Sequence, residues 1–111
     1  MVMEKQNIVQ KNNVHPLLYL ASADEQGKQW VIRQAQQMRR EGIACEVDLL
    51  NRSLKAQMRE ADRQLARYVC IIGQNEIEQR QALLKDMQSG KELPIKLIDI
   101  VQELQKLAAP R

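Results

Sequence analysis

Three short apolar runs, separated by stretches long enough for a helix, restrict this chain more than any other feature. All three are too short for core helices: Leu17–Ser22 and Tyr68–Gly73 are almost unbroken in apolar residues, as strands covered on both faces are, and Ile43–Asp48 is a β-branched-rich strand. The stretch Glu25–Arg40 between the first two has helical spacing, with Val31, Ala35 and Met38 as its inward stripe and Gly42 as its stop. Between the second and third, Ser53 is placed to cap a second helix, on which Leu54, Met58, Ala61 and Leu65 share one side. Right-handed crossovers make three such strands parallel, and the order 2-1-3 lets the two helices cover opposite faces.

The rest of the chain extends that centre. Gln74–Arg80 is polar, with room for a helical turn; Ala82–Asp86 and Glu92–Ile95 flank Met87–Lys91, whose Gly90 suits a hairpin. Leu97, Ile100, Val101, Leu104 and Leu107 then mark a last amphipathic helix that ends before Pro110. The expected fold is an α/β three-layer sandwich: a mixed five-stranded sheet with a parallel core in order 2-1-3, an antiparallel fourth strand and helices on both faces. Residues 14–109 form that domain, a length that sustains one continuous core. Residues 1–13 read as the end of a preceding helix followed by a polar linker, and 110–111 as a tail.

Several chemistries lack their residues. Cys45 and Cys70 lie in apolar runs without metal spacing and read as reduced core residues of a cytoplasmic protein. His15, the single histidine, stands before Pro16 with no partner pattern. No glycine-rich phosphate loop, nucleophile–histidine set or paired-carboxylate motif occurs, so no catalytic residue, metal site or cofactor is assigned to the chain. No apolar run approaches the ~20 residues of a membrane span. The net charge of +3 permits weak attraction to a polyanion, while only three aromatic residues, one Trp and two Tyr, leave little for base stacking.

The stretch Asp48–Asp62 carries most of the functional information. It runs from the second strand through an acid-and-amide turn, Asp48 to Asn51, into the capped helix, on which Arg52, Lys55, Arg59, Arg63 and Arg67 collect opposite the packing stripe. On the residues alone a solvated helix face accounts for the basic stripe better than a nucleic-acid surface does. Asn51 is equally suited to shaping the turn, Glu76 to being a surface carboxylate, and Lys85 to guarding a strand edge.

Taken together, Asp48-Leu-Leu-Asn51-Arg-Ser-Leu-Lys55-Ala-Gln-Met-Arg-Glu-Ala-Asp62, Ala66-Arg-Tyr-Val-Cys-Ile-Ile-Gly73-Gln-Asn-Glu76 and Leu84-Lys85-Asp-Met-Gln-Ser-Gly90-Lys-Glu92 resemble the C-terminal anticodon-binding domain of class II aminoacyl-tRNA synthetases, the histidyl enzymes above all. The resemblance runs from about Pro16 to Leu107. It implies that Asn51 and Glu76 read anticodon bases and that Arg52, Lys55 and Lys85 contact the RNA backbone or support the readers. It also implies a parent catalytic domain that uses ATP and magnesium, histidine tRNA as partner, and a homodimeric parent enzyme. One departure is Arg80, which stands where the family commonly has glycine. A stand-alone regulatory or dimerising paralogue is the competing function, and a flavodoxin-like signalling or small-ligand domain a more distant one.

Overall fold

The computed structural model describes residues 15–108. The linker expected over 1–13 and the tail at 110–111 lie outside the described residues. Five strands form one sheet: β1 (Leu18–Ser22), β2 (Cys45–Val47), β3 (Tyr68–Ile72), β4 (Gln81–Asp86) and β5 (Glu92–Lys96), in spatial order β2-β1-β3-β4-β5. β1 pairs in parallel with β2 and with β3, and β3–β4 and β4–β5 are antiparallel, so β4 alone runs against the others. The expected topology is therefore present in full, including the antiparallel fourth strand.

Two helices and a 3₁₀ turn cover one face: α1 (Glu25–Arg40), the turn Leu97–Asp99 and the C-terminal α4 (Ile100–Ala108). Val31, Ala35, Met38, Ile100 and Leu104 pack there against Leu18, Leu20 and Cys70. Each fully buried Leu or Ile contributes roughly 1.5–3 kcal/mol relative to exposure. The other face carries α2 (Leu54–Arg63), which buries Ala61 over Tyr19, Ala21 and Val69. The short α3 (Gln74–Gln79) lies at the strand ends, between β3 and β4. Cys45 and Cys70 are free and buried on β2 and β3, with β1 between them, and burial pushes both thiols up to about 12.

Helix ends explain where the elements differ from expectation. After α1, Gly42 takes φ 84°, its N–H donates to Arg39 O (3.1 Å), and the Ile43 N–H donates to Met38 O (2.9 Å). This Schellman turn uses Ile43 in the helix stop and shortens β2 to Cys45–Val47. After α2 the same turn recurs: Leu65 N–H to Asp62 O (3.0 Å) and Ala66 N–H to Ala61 O (3.1 Å). Leu65 is thus the left-handed residue (φ 59°) and is 62% exposed, not a member of the packing stripe as its spacing suggested. The chain leaves helical phase one residue before it, so a helical count no longer applies there.

α2 is too short to span the whole sheet. On its side, Leu83 of β4 is 52% exposed and pairs with exposed Pro94 of β5, while Lys85 pairs with Glu92. Pro94 is tolerated because β5 is an edge strand. An uncovered apolar shelf therefore remains beside α2.

Candidate nucleic-acid interface

Loops β1–α1, β2–α2 and β3–α3 leave the sheet at one edge, the C-terminal ends of the parallel strands. The β2–α2 loop is built on Asp48, which is only 3% exposed. Its carboxylate accepts from the Arg52 amide (2.9 Å) and from Arg52 Nε (2.7 Å). Burial alone would raise its pKa, but the hydrogen bonds from Arg52 and the guanidinium charge outweigh burial and hold it below the usual carboxylate range. Arg52 also approaches Glu60 (3.7 Å), which is paired with Arg63. Hydrogen bonds from Arg63 and Gln64, with the two arginine charges, bring Glu60 down to about 2.

Gln57 ties this loop to the sheet. It is 2% exposed, accepts from Ser22 N–H (2.9 Å), and donates through Nε2 to Ser22 O (3.0 Å) and Arg52 O (2.9 Å). Its position three residues after Leu54 puts a polar side chain on the inward stripe, the one sequence signal that marks it. Asn51, at the tip of the loop, is exposed and left-handed (φ 57°), a conformation its short polar side chain tolerates. Its side-chain oxygen accepts from Lys28 Nζ of α1.

Glu76 occupies the third position of α3, and its Oε1 accepts from the Gly73 N–H (2.8 Å), the reciprocal half of a capping box. That bond fixes the carboxylate at the mouth of a groove shared with Met58, Ile71, Leu83 and Lys85. Asn51 and Arg52 line a second cleft, with Lys28, Ser53 and Gln57. The structure thus brings Glu76 together with Lys85, and Asn51 with Arg52, in two adjacent recesses. Asp24, which lines the Asn51 cleft, accepts from the Gln74 N–H (2.9 Å) and caps α1 through Gly27 N–H (2.8 Å), bonds that lower its pKa. By sheet geometry β2 and β3, which lead to Asn51 and Glu76, lie about two strand spacings or ~10 Å apart.

Lys55 is exposed on the first turn of α2 and lines neither recess. The basic stripe is less free than its sequence suggests. Arg52 and Arg63 are engaged with acids, and Arg67 pairs with Asp86 (3.7 Å) and lies over the Tyr68 ring (5.2 Å). Among the described residues, Lys55 and Arg59 make no ion pair. Sequence reasoning missed Lys28, Gln57 and the double cap at Asp24. A capping position marks Asp24, but nothing local marks Lys28, whose partner lies across a cleft.

His15 is exposed at the opposite end of the sheet, away from both recesses. Among the described residues no group of three or more His, Cys, Asp or Glu is placed to hold a metal ion, and no helix is long and apolar enough to cross a membrane. Gly27 lets α1 pack directly on the end of β3: a Cβ there would lie 2.1 Å from Ile72 O.

A family profile described as "Anticodon binding domain" matches residues 9–107. A histidine–tRNA ligase of Chloroherpeton thalassium is 40% identical over 90 residues, 81% of this chain and 21% of that protein. One from Acetivibrio thermocellus is 35% identical over 104 residues, 94% of this chain and 25% of that protein. The chain therefore spans about a fifth to a quarter of the length of these curated relatives. Among solved structures, apo histidyl-tRNA synthetase of S. aureus superposes with TM-score 0.80 over 90% of this chain and 27% of its own, at 24% identity, a likeness of fold. The RNA-binding domain of threonyl-tRNA synthetase from Cryptosporidium parvum Iowa II gives TM-score 0.74 at 15% identity, over 86% of this chain and 24% of its own.

Proposed function

The chain belongs to the anticodon-binding domain family, and from that premise we propose that it reads the anticodon of histidine tRNA as one domain of a cytoplasmic, homodimeric histidine–tRNA ligase. The catalytic part of that enzyme would activate histidine with ATP and magnesium and transfer it to the tRNA. In this reading no residue of the present chain takes part in that chemistry. The support for the ligase is the identity to histidine–tRNA ligases over most of the chain.

The observation that carries the RNA reading is the placement of Glu76. A carboxylate on an RNA-binding surface repels phosphates and is tolerable only where it meets strong donors. Guanine offers N1–H and N2–H side by side, and an unstacked guanine presents them to a carboxylate as a charge-assisted pair. A carboxylate has about four lone-pair sites, so the bond from Gly73 leaves capacity for both while fixing the rotamer. Histidine codons are C-A-U and C-A-C, so the anticodon is G-U-G and holds two guanines. The shelf of Ile71, Leu83 and Pro94 beside Glu76 offers apolar surface for an unstacked base, and Lys85 offers a charge for its phosphate. Asn51 then reads a neighbouring base. Lys55 meets the backbone, and Arg52 supports the loop through Asp48.

The test is a titration of this chain with histidine tRNA and with a tRNA of different anticodon at several salt concentrations. Preference for the histidine tRNA, with log affinity falling about 0.7–0.9 per phosphate contact per log unit of salt, supports the reading. Equal affinity for both tRNAs contradicts it, and absence of RNA binding at low salt favours the regulatory or dimerising paralogue.

A further inference from the structure

The contact between Lys28 and Asn51 bears on base choice, and the inference rests on the anticodon reading above. Lys28 stands in the first turns of α1, half-buried, and reaches across the cleft to the β2–α2 loop. An ammonium group has three donors and no acceptor, so the Asn51 atom that faces it is the amide oxygen, whichever way an isolated amide would be assigned. The amide NH₂ is left to face away from Lys28, on a residue that is exposed. The backbone at Asn51 is held on its C-terminal side. Asn51 is left-handed, the next residue's N–H is held by Asp48, and that residue's carbonyl is held by Gln57.

We infer that Lys28 is a specificity-determining positioning residue: by occupying the Asn51 oxygen it makes Asn51 a hydrogen-bond donor toward RNA. The two readers then have opposite polarity. Glu76 accepts only, which suits a guanine edge, and Asn51, its oxygen turned to Lys28, presents its NH₂ outward as a donor, which suits a base carbonyl. Within G-U-G the neighbour of either guanine is the uracil. Uracil presents O4, an acceptor, where cytosine presents the N4 amino group, a donor. Cytosine keeps acceptors at O2 and N3, so the discrimination requires Asn51 to face the 4-position of that base, where the Lys28–Asn51 pair selects uracil against cytosine in the middle of the anticodon.

The experiment titrates this chain, Lys28→Met and Lys28→Glu against anticodon stem-loops carrying G-U-G, G-C-G and the guanine-free A-U-A, with circular dichroism to establish that each variant folds. The wild-type chain is expected to bind the uracil loop on the order of tenfold more tightly, the discrimination of one good base-edge contact. In Lys28→Met the amide is released and the ratio falls toward one. In Lys28→Glu the new carboxylate takes the amide N–H and turns the oxygen outward, so the ratio reverses toward cytosine while both affinities drop. A uracil-to-cytosine ratio that stays at the wild-type value in both variants, or equal binding of the two loops by the wild-type chain, overturns the inference. Failure of the underlying reading looks different: the wild-type chain would then be indifferent to loss of the guanines as well. The side-chain NH₂ resonances of Asn51 in the free chain give a second readout, expected to move further in Lys28→Glu than in Lys28→Met. Resonances that stay in place in both variants count against the contact.

Discussion

Replacing Arg80 by glycine should stabilise this domain, and the amount follows from its backbone. Arg80 caps α3 with φ 59° and ψ 32°, and its conformation is fixed from both sides: its N–H donates to Ile77 O (3.2 Å) and its carbonyl accepts from Leu97 N–H (3.0 Å). A Cβ in the left-handed region costs roughly 1–2 kcal/mol, and glycine returns about 0.4–1 kcal/mol of that through the entropy of the unfolded chain. The Arg80 side chain is exposed and makes no ion pair among the described residues, so little else is lost. The net gain is about 0.5–1 kcal/mol, or a few degrees in melting temperature at roughly 4–8 °C per kcal/mol. Leu65 shares the geometry at φ 59°, but being 62% exposed it still buries part of its side chain. Losing that burial costs roughly 0.5–1 kcal/mol, so Leu65→Gly should be close to neutral. Urea unfolding of Arg80→Gly, Arg80→Ala and Leu65→Gly decides the matter, with an unchanged m-value expected. Arg80→Ala keeps the Cβ and should gain nothing. Destabilisation by Arg80→Gly, or an equal gain from Arg80→Ala, refutes the strain argument.

Three further outcomes follow from the site. Gln57→Leu keeps the side-chain volume but strands the Ser22 N–H and carbonyl and the Arg52 carbonyl, so equilibrium unfolding should show a loss of about 2–4 kcal/mol; a loss below about 0.5 kcal/mol would mean that water replaces Gln57 there. Glu60 is depressed in the fold from 4.5 to about 2, so its contribution is complete above pH 4.5 and disappears as pH falls toward 2. Melting temperature should fall across that window, joined by the losses from Asp24, Asp48 and Asp86, and Glu60→Gln should flatten part of the slope; an unchanged profile in that variant would contradict the pairing with Arg63. Lys55→Ala should weaken all RNAs alike and reduce the log-salt slope by about 0.7–0.9, whereas Arg52→Ala should act mainly through stability; a drop in slope for Arg52→Ala with stability intact would assign it to a phosphate instead.

The sheet was legible because its signals are local and redundant. β1 and β3 are continuous apolar runs, β2 is a short apolar stretch interrupted by Glu46, each crossover helix has a stripe, and Gly42 and Gly90 sit at positive φ where their positions imply turns. What was hidden arises where a partner lies far along the chain or where a turn breaks periodicity. Leu65 counts as a core residue by helical spacing, yet the helix ends at Arg63, two residues earlier, and the turn after it points Leu65 out. The polar stretch Gln74–Arg80 supports both a helical turn and a left-handed residue, and the structure contains both, in sequence. Glu76 and Asn51 stand out only through the resemblance, and the groups that orient them, the Gly73 amide and Lys28, become visible only in three dimensions.

The central claim is that Glu76 reads an anticodon guanine, and a double-mutant cycle across the interface tests it most directly. The chain and its Glu76→Gln variant, which keeps an oxygen for the Gly73 N–H, are titrated with the histidine anticodon stem-loop and with loops in which each guanine in turn is inosine, which lacks the N2 amino group. At one of the two positions the wild-type chain should lose about 1–3 kcal/mol on inosine, while Glu76→Gln loses almost nothing further. Equal losses for both chains at both guanines would contradict the account and leave Glu76 as the cap of α3 alone.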